Sequence, residues 1–172
     1  MITKSALKPL PKVRNHKCFG CSQENPHGLQ MEFFTDEKSI YSWVTIPDHL
    51  CGWSNIAHGG VVSTILDEVM GRSMIYLLKS LGLTKAMTVE FLKPVLINRE
   101  LRAEGSVIEV KNSREALIQG VLHDDEGKVC ARSTGTFALA DADRIRKMGI
   151  ASVDVLEWYE EFIASRTDRS DR

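Results

Sequence analysis

The stretch that most constrains the fold is residues 55–82, because it predicts one long helix in a chain whose other elements are mostly strands. The helix follows a tight His58-Gly59-Gly60 turn, and Gly82 is the expected C-terminal cap. Extending to Ser80, it would be about 34 Å long at about 1.5 Å per residue. Its apolar residues recur at spacings of three and four, which predicts one side packed on a core: Val62, Ile65, Leu66, Val69, Ile75 and Leu78.

A second stripe of this helix carries small residues and one acid. Ser63, Asp67 and Gly71 are spaced four apart, so a ligand or another backbone could approach closely. No basic residue stands three or four positions after Asp67, and burial of an unpaired acid costs free energy. Glu68, in contrast, has Arg72 four residues later, which predicts an ordinary surface ion pair. Asp67 is therefore the candidate catalytic acid.

Alternating apolar residues predict strands on both sides of the helix. A hairpin is expected before it, at residues 29–34 and 40–46, and four strands after it, at residues 84–92, 100–111, 116–123 and 128–139. Short turns such as Asp124–Gly127 imply antiparallel pairing. A final amphipathic helix is expected around residues 155–163. The prediction is an α+β fold with an N-terminal extension (1–28, with no packed element in residues 1–15), a main domain (29–140) and a C-terminal helical extension (141–172).

Composition excludes several classes of function. The 172 residues carry a net charge of −1, so nucleic acid is not an expected partner. The longest apolar run, Met74–Leu78, is far below the roughly 20 residues that cross a bilayer, and the N-terminus has no apolar signal core. We expect a cytoplasmic protein with no membrane partner, whose four cysteines are reduced.

Cys18 and Cys21 form a C-x2-C pair with His16 and His27 nearby. Such residues can ligate tetrahedral zinc, but the chain has no second C-x2-C pair and the histidine spacing is irregular. The other interpretation is a turn with small, half-buried cysteines. We expect no metal, with Cys18 and Cys21 as the alternative site.

The motif Asn55-x-x-His58-Gly59-Gly60, followed by Asp67 and by Thr84 ten residues before Pro94, resembles the hotdog-fold acyl-CoA thioesterases of the phenylacetate-degradation (4-hydroxybenzoyl-CoA thioesterase-like) type. The segment C-F-G-C-S-Q-E-N-P-H-G-L is similar to the N-terminal stretch of some members. The resemblance implies a curved antiparallel sheet of about six strands wrapped around the long helix. It also implies a homodimer or a dimer-of-dimers tetramer, an active site between subunits, and no cofactor.

Thioester hydrolysis needs an activated water or a nucleophile, and donors for the developing oxyanion. The backbone N–H groups of a helix start can supply the donors, and Gly59 and Gly60 leave that end open. Asp67 would be the general base or the nucleophile, and both roles stay open. The resemblance implies that Thr84 positions the water from the partner subunit. Asn55 and His58 are the substrate-binding candidates.

The expected function is hydrolysis of an acyl-CoA or aroyl-CoA thioester to the free acid and coenzyme A. A Gly-x-Ser-x-Gly motif is absent, so an α/β-hydrolase is not indicated. The alternatives are a non-catalytic acyl or acyl-CoA binding hotdog protein, a hotdog hydratase and a zinc-dependent interaction protein. No histidine follows Asp67 within the helix, which disfavours the hydratase. Pocket size is expected to depend on Trp53, Met70, Met74 and Met87.

Overall fold

The computed structural model describes residues 2–167. Nine strands and three α-helices follow one another in the described part of the chain: β1 (Lys8–Pro9), β2 (Phe33–Thr35), β3 (Ile40–Thr45), β4 (Cys51–Trp53), β5 (Ile56–Ala57), α1 (Gly59–Leu77), β6 (Leu81–Phe91), β7 (Glu100–Asn112), β8 (Glu115–His123), β9 (Val129–Ala140), α2 (Ala142–Met148) and α3 (Val153–Thr167).

Seven of the strands form one antiparallel sheet in the order β1-β2-β3-β7-β8-β9-β6, and β4 and β5 pair separately. Helix α1 packs against β3, β7, β8, β9 and β6, so it lies across the middle of one face of the sheet. The predicted α+β fold, with one central helix and a C-terminal helix, is confirmed. The sheet has seven strands where about six were expected.

Helix α1 lies very close to the sheet because the facing strands carry glycine where they pass beneath it. A Cβ added at Gly105 would lie 2.4 Å from Ser73 Oγ and 2.6 Å from the carbonyl oxygen of Val69. Gly105 pairs with Gly120 of the next strand, whose added Cβ would meet Leu66 at 3.2 Å. The side of the helix that faces these glycines is buried, as its apolar periodicity predicts.

The prediction that residues 1–15 contain no packed element is wrong. Lys8 and Pro9 pair with the outer edge of β2, where proline is tolerated because it donates no hydrogen bond. Leu10 N–H donates to the carbonyl of Phe33 at 2.8 Å, and the Leu10 side chain is buried in the core. The proposed boundaries at residues 28/29 and 140/141 stay predictions.

The predicted cap at Gly82 is also wrong. Helix α1 ends at Leu77, and Lys79 takes the left-handed conformation with φ of 50°. Gly82 lies inside β6, where an added Cβ would be 2.0 Å from the carbonyl oxygen of Ala138. Close approach to the neighbouring strand, rather than capping, accounts for a glycine at this position.

The C-terminal helix α3 covers the end of α1. Its buried residues Leu156 and Tyr159 pack with Leu81, and Tyr159 donates a hydrogen bond of 2.7 Å to the carbonyl of Lys79. The amphipathic pattern predicted for this helix is thereby confirmed, whereas residues 168–172 of the predicted extension lie outside the described residues. Between residues 2 and 167, no helix is both long and apolar enough to cross a membrane.

Candidate active site

The structure brings Asp67 and Thr84 together. Asp67 lies in the third turn of α1 and is half-buried, and Thr84 is in the first part of β6. The pairing of β6 with β9 shifts register between Thr84 and Ala86, so Lys85 forms a bulge beside Thr84, and a bulge can change where a side chain points. Thr84 Oγ1 donates to Asp67 Oδ1 at 2.7 Å. Both residues belong to one chain, so no partner subunit is needed for this contact.

The environment of Asp67 raises the pKa of its carboxyl. The largest cause is burial, which disfavours the charged form, and the nearby charge of Glu68 acts in the same direction. The hydrogen bond from Thr84 opposes both effects by stabilising the carboxylate. Asp67 forms no ion pair with any residue in the described part of the chain. Because Oδ1 accepts the Thr84 hydroxyl, Oδ2 is the oxygen available to accept a proton from water.

A cavity of about 310 Å³ opens beside the Asp67–Thr84 pair. Gly71, one helical turn after Asp67, lines it, and a Cβ added there would meet no atom within 4 Å. Most of the remaining wall is apolar and comes from α1, β6, β9 and α3: Met74, Ile75, Leu81, Leu83, Phe137, Val155 and Trp158. Such a wall suits an apolar ligand held by few polar groups.

Of the four residues predicted to set the pocket size, only Met74 is part of this wall. Met70 is fully buried between α1 and the sheet, and Met87 packs beside it in the same apolar cluster. Trp53 is 82% exposed on β4. The sequence could not separate these residues, because their orientation depends on which strand passes under which turn of the helix.

The helix start does not line the same cavity as Asp67. Gly59 lines a separate cavity of about 310 Å³ with Val62 and Phe91–Val95. His58 is the N-cap, and its Nδ1 accepts the Gly60 N–H at 3.0 Å. The expected oxyanion donor at Gly60 is therefore already bonded, whereas the Gly59 N–H has no acceptor among residues 2–167.

Asn55 lies in the exposed loop before the helix. Its carbonyl accepts a hydrogen bond of 3.0 Å from Ile97 N–H, which ties the loop to the segment between β6 and β7. The side chain of Asn55 does not cap the helix, since His58 takes that position. Asn55 and His58 are both near Gly59 in the chain, and neither lines the Asp67 cavity.

Glu68 does not form the surface ion pair with Arg72 that the sequence predicts. It forms no ion pair with Arg72 within 4.0 Å in the described residues, and it is half-buried beneath the N-terminal segment. Cys18 Sγ lies 3.0 Å from Glu68 Oε1. One oxygen of Glu68 and the sulfurs of Cys18 and Cys21 all lie within 4.8 Å of one another. The predicted surface ion pair is therefore wrong.

Arg72 is buried beside this cluster and not on the surface. Its guanidinium lies between the rings of Phe33 at 4.8 Å and Trp158 at 5.2 Å, and Nη2 donates to Cys21 Sγ at 3.7 Å. Nη1 is buried without a hydrogen-bond partner in the described part of the chain. The guanidinium is thus held by aromatic faces and one sulfur, and none of the described carboxylates is in contact with it.

Crowding of three acids shifts the pKa values within the cluster. A hydrogen bond from Cys21 lowers the pKa of Cys18 to about 5, and the same contact with Cys18 raises the pKa of Cys21. Burial, followed by the charge of Cys18, raises the pKa of Glu68 to about 7. Burial is also the main cause of the lowered pKa of His16, which lines the cavity beside Asp67. The proposed zinc ligand His27 is exposed and outside this cluster.

Comparison with known proteins agrees with this architecture. The family model of the thioesterase superfamily matches residues 54–131, which include α1, Asp67 and Thr84. Verlamelin biosynthesis protein B of Lecanicillium sp. is 24% identical over 153 residues, and the match covers 66% of this chain and 66% of that protein. The chain therefore spans just under two thirds of that curated relative's length.

Two solved structures show the same fold. A hypothetical thioesterase of Streptococcus pneumoniae TIGR4, crystallised with coenzyme A, has a TM-score of 0.57 at 18% identity over 60% of this chain and 80% of its own. The E. coli PaaI protein, from the phenylacetic acid degradation operon, has a TM-score of 0.59 at 16% identity over 64% of this chain and 83% of its own. The chain has the hotdog fold, and its residues 54–131 are similar to the thioesterase superfamily.

Proposed function

We propose that the protein hydrolyses an acyl-CoA or aroyl-CoA thioester to the free acid and coenzyme A. The observation that carries this proposal is the hydrogen bond between Thr84 and Asp67 at the wall of an apolar cavity. An acid with a raised pKa and no cationic partner in the described part of the chain is suited to take a proton from water, and the apolar wall suits an acyl or aroyl group. The Streptococcus pneumoniae thioesterase that binds coenzyme A supports the choice of thiol.

In the proposed reaction, Asp67 takes a proton from a water molecule as the water oxygen attacks the thioester carbonyl. Thr84 keeps the carboxylate oriented through its hydroxyl. The carbonyl oxygen becomes an oxyanion, which a free backbone N–H of a helix start stabilises. Collapse of the tetrahedral intermediate breaks the C–S bond, and the leaving sulfur takes the proton from Asp67, which releases the thiol and restores the carboxylate. Attack by Asp67 itself, through an anhydride, is the other route, and both routes require the carboxylate.

In this proposal, the backbone N–H groups that stabilise the oxyanion come from a second copy of the chain. Gly59 and Asp67 line different cavities of one chain. Strand β6 is an edge of the sheet, eleven residues long, and it exposes Leu83 and Phe91. A long edge strand with exposed apolar residues can pair with another strand. A homodimer joined at β6 would cover both cavities and could bring Gly59 of one subunit to Asp67 of the other.

The activity is tested by thiol release from a panel of acyl-CoA and aroyl-CoA esters. Replacement of Asp67 by Asn should lower kcat by about 10²-fold or more, in line with the usual contribution of a general base. Asp125→Asn is the matched control, since Asp125 is in an exposed turn and pairs with Arg99. Full activity in Asp67→Asn would refute the mechanism. Binding of acyl-CoA with no turnover by the unmodified protein would favour a non-catalytic binding protein.

Mixing two inactive variants tests the shared site. Gly59→Val should block the approach of a carbonyl to the helix start while the chain still folds, because a Cβ at Gly59 would only touch the Phe91 ring at 3.6 Å. Equal amounts of Gly59→Val and Asp67→Asn, allowed to exchange subunits, should recover about a quarter of the unmodified activity, since half the dimers are mixed and each has one intact site. No recovery from exchanged subunits would place Gly59 and Asp67 in one subunit's site.

A further inference from the structure

The strongest feature outside the proposed mechanism is the cluster formed by Cys18, Cys21 and Glu68. One ligand atom from each lies within 4.8 Å of the others. Two ligands of a tetrahedral zinc ion are separated by about 3.5–3.8 Å when Zn–S is about 2.3 Å and Zn–O about 2.0–2.2 Å. The Cys18 Sγ to Glu68 Oε1 distance of 3.0 Å would therefore need to open by only about 0.5 Å.

The turn that carries the two cysteines is fixed in place by the chain that follows it. Leu29 N–H donates to the carbonyl of Phe19 at 2.9 Å, and Met31 N–H donates to that of Gly20 at 3.0 Å. The turn lies directly over Glu68, because a Cβ added at Gly20 would be 2.2 Å from Glu68 Cγ. The sulfurs are thus presented to helix α1 by a rigid turn, as a metal site requires.

The charge of the surroundings also fits a metal. Two thiolates and a carboxylate carry a charge of −3, so bound Zn²⁺ would leave −1 on the site. The buried guanidinium of Arg72 has Nη2 3.7 Å from Cys21 Sγ, and no carboxylate among residues 2–167 is in contact with it. It would balance the remaining charge and donate to a ligand sulfur, which is a common arrangement in the outer shell of metal sites. Sulfur ligands favour Zn²⁺ over Mg²⁺ or Ca²⁺.

We propose that Cys18, Cys21 and Glu68 bind one Zn²⁺ per chain, with the fourth position occupied by water. Both thiols release their protons to solvent on binding. The ion ties the N-terminal segment to α1 at the residue next to Asp67. It holds the Cys21 and Glu68 part of the cavity wall in place and takes no part in hydrolysis. The sequence suggested the two cysteines with His16 and His27, whereas the structure supplies Glu68 as the third ligand.

The test is metal content of the full-length protein after incubation with Zn²⁺ and removal of free metal, with Co²⁺ as a spectroscopic substitute. The unmodified protein should hold one Zn²⁺ per chain. With Co²⁺ it should show the visible bands of tetrahedral coordination and a sulfur-to-cobalt charge-transfer band. Cys18→Ser and Glu68→Gln should each weaken zinc binding at least about tenfold in competition with a chromophoric chelator. Cys51→Ser is the matched control, because Cys51 is exposed and outside the cluster.

Three results would overturn the proposal. The first is less than about 0.1 Zn²⁺ per chain in the unmodified, folded protein, far below the single ion that the ligand set implies. The second is equal loss of zinc in Cys51→Ser and Cys18→Ser. The third is a Co²⁺ spectrum and affinity unchanged in Glu68→Gln. If Cys18→Ser does not fold, the cobalt spectrum and chelator competition of the unmodified protein still decide whether a sulfur-bound tetrahedral metal is present.

Discussion

Gly71 offers a sharp test of the open cavity beside Asp67. Glycine inside a helix is less stable than alanine by about 1 kcal/mol. A Cβ at position 71 meets no atom within 4 Å, so Gly71→Ala should keep this full gain. For a chain of this size, about 1 kcal/mol corresponds to a rise in Tm of about 2–4 °C.

Calorimetric melting of the unmodified protein and Gly71→Ala measures this change. Gly105→Ala is the control, because its Cβ would lie 2.4 Å from Ser73 Oγ and 2.6 Å from a backbone oxygen. Overpacking there should destabilise the protein by about 1–3 kcal/mol. If Gly71→Ala lowers Tm as Gly105→Ala does, the helix surface at position 71 is filled in the folded protein and the cavity beside Asp67 is closed.

A larger residue at the same position tests what the cavity binds. The leucine side chain of Gly71→Leu would occupy space that an acyl group takes in the proposed function. Each methylene group excluded from an apolar pocket reduces the favourable binding free energy by about 0.8 kcal/mol. For a substrate with three excluded methylene groups, kcat/KM should therefore be about 50-fold lower. Short acyl-CoA esters should be hydrolysed at nearly the unmodified rate. An unchanged chain-length profile would mean that the acyl group binds elsewhere.

Four further outcomes are expected. The raised pKa of Asp67 means that kcat/KM should fall with decreasing pH through a value above the ordinary 3.8 of an aspartate, and a limb at or below 3.8 would contradict the burial argument. Folding disfavours the charged form of Asp67, so Asp67→Asn should raise the free energy of unfolding at pH 7–8, as measured by urea titration. This gain in the free energy of unfolding should become smaller as the pH falls towards 4. Thr84→Val removes a hydrogen bond that lowers the pKa of Asp67, so the acid limb should move to higher pH, while Thr84→Ser should keep it in place. Leu10→Ala should lower the free energy of unfolding, measured by urea titration, by about 2 kcal/mol because Leu10 is buried in the core. A decrease below about 0.5 kcal/mol would mean that the N-terminal segment is not packed in solution.

Local periodicity predicted most of the fold. Leu29, Met31 and Phe33 alternate in sequence and are all buried, although only the last of them lies in a strand. The long strands after α1 begin and end within three residues of their predicted bounds. These features depend on side chains that point alternately to the two faces of a sheet, which the sequence displays directly.

Features that depend on distant segments were not predicted. Strand β1 is two residues long and contains Pro9, so it has no periodicity, and it exists only because the edge of β2 is free to pair. The end of α1 at Leu77 is set by Lys79 in the left-handed conformation. Glycine usually takes this conformation, and so the sequence pattern favours Gly82 as the cap. In the site, Asp67 and Thr84 were predicted by motif, but their contact within one chain depends on the bulge at Lys85.

Asp67 and Glu68 show why the roles of neighbouring acids could not be assigned from helix spacing alone. They are adjacent on α1 and point about 100° apart. Helical spacing places Arg72 four residues after Glu68 and no basic residue three or four positions after Asp67. In the structure both are half-buried, both have raised pKa values, and neither is in contact with a cation of residues 2–167. What distinguishes them is the segment that covers each one. A hydroxyl from β6 reaches Asp67 and leaves an oxygen for water, whereas a turn of two thiols reaches Glu68 from fifty residues away. The chemistry of each acid is therefore decided by tertiary contacts, which suit the first to proton transfer and the second to a metal ion.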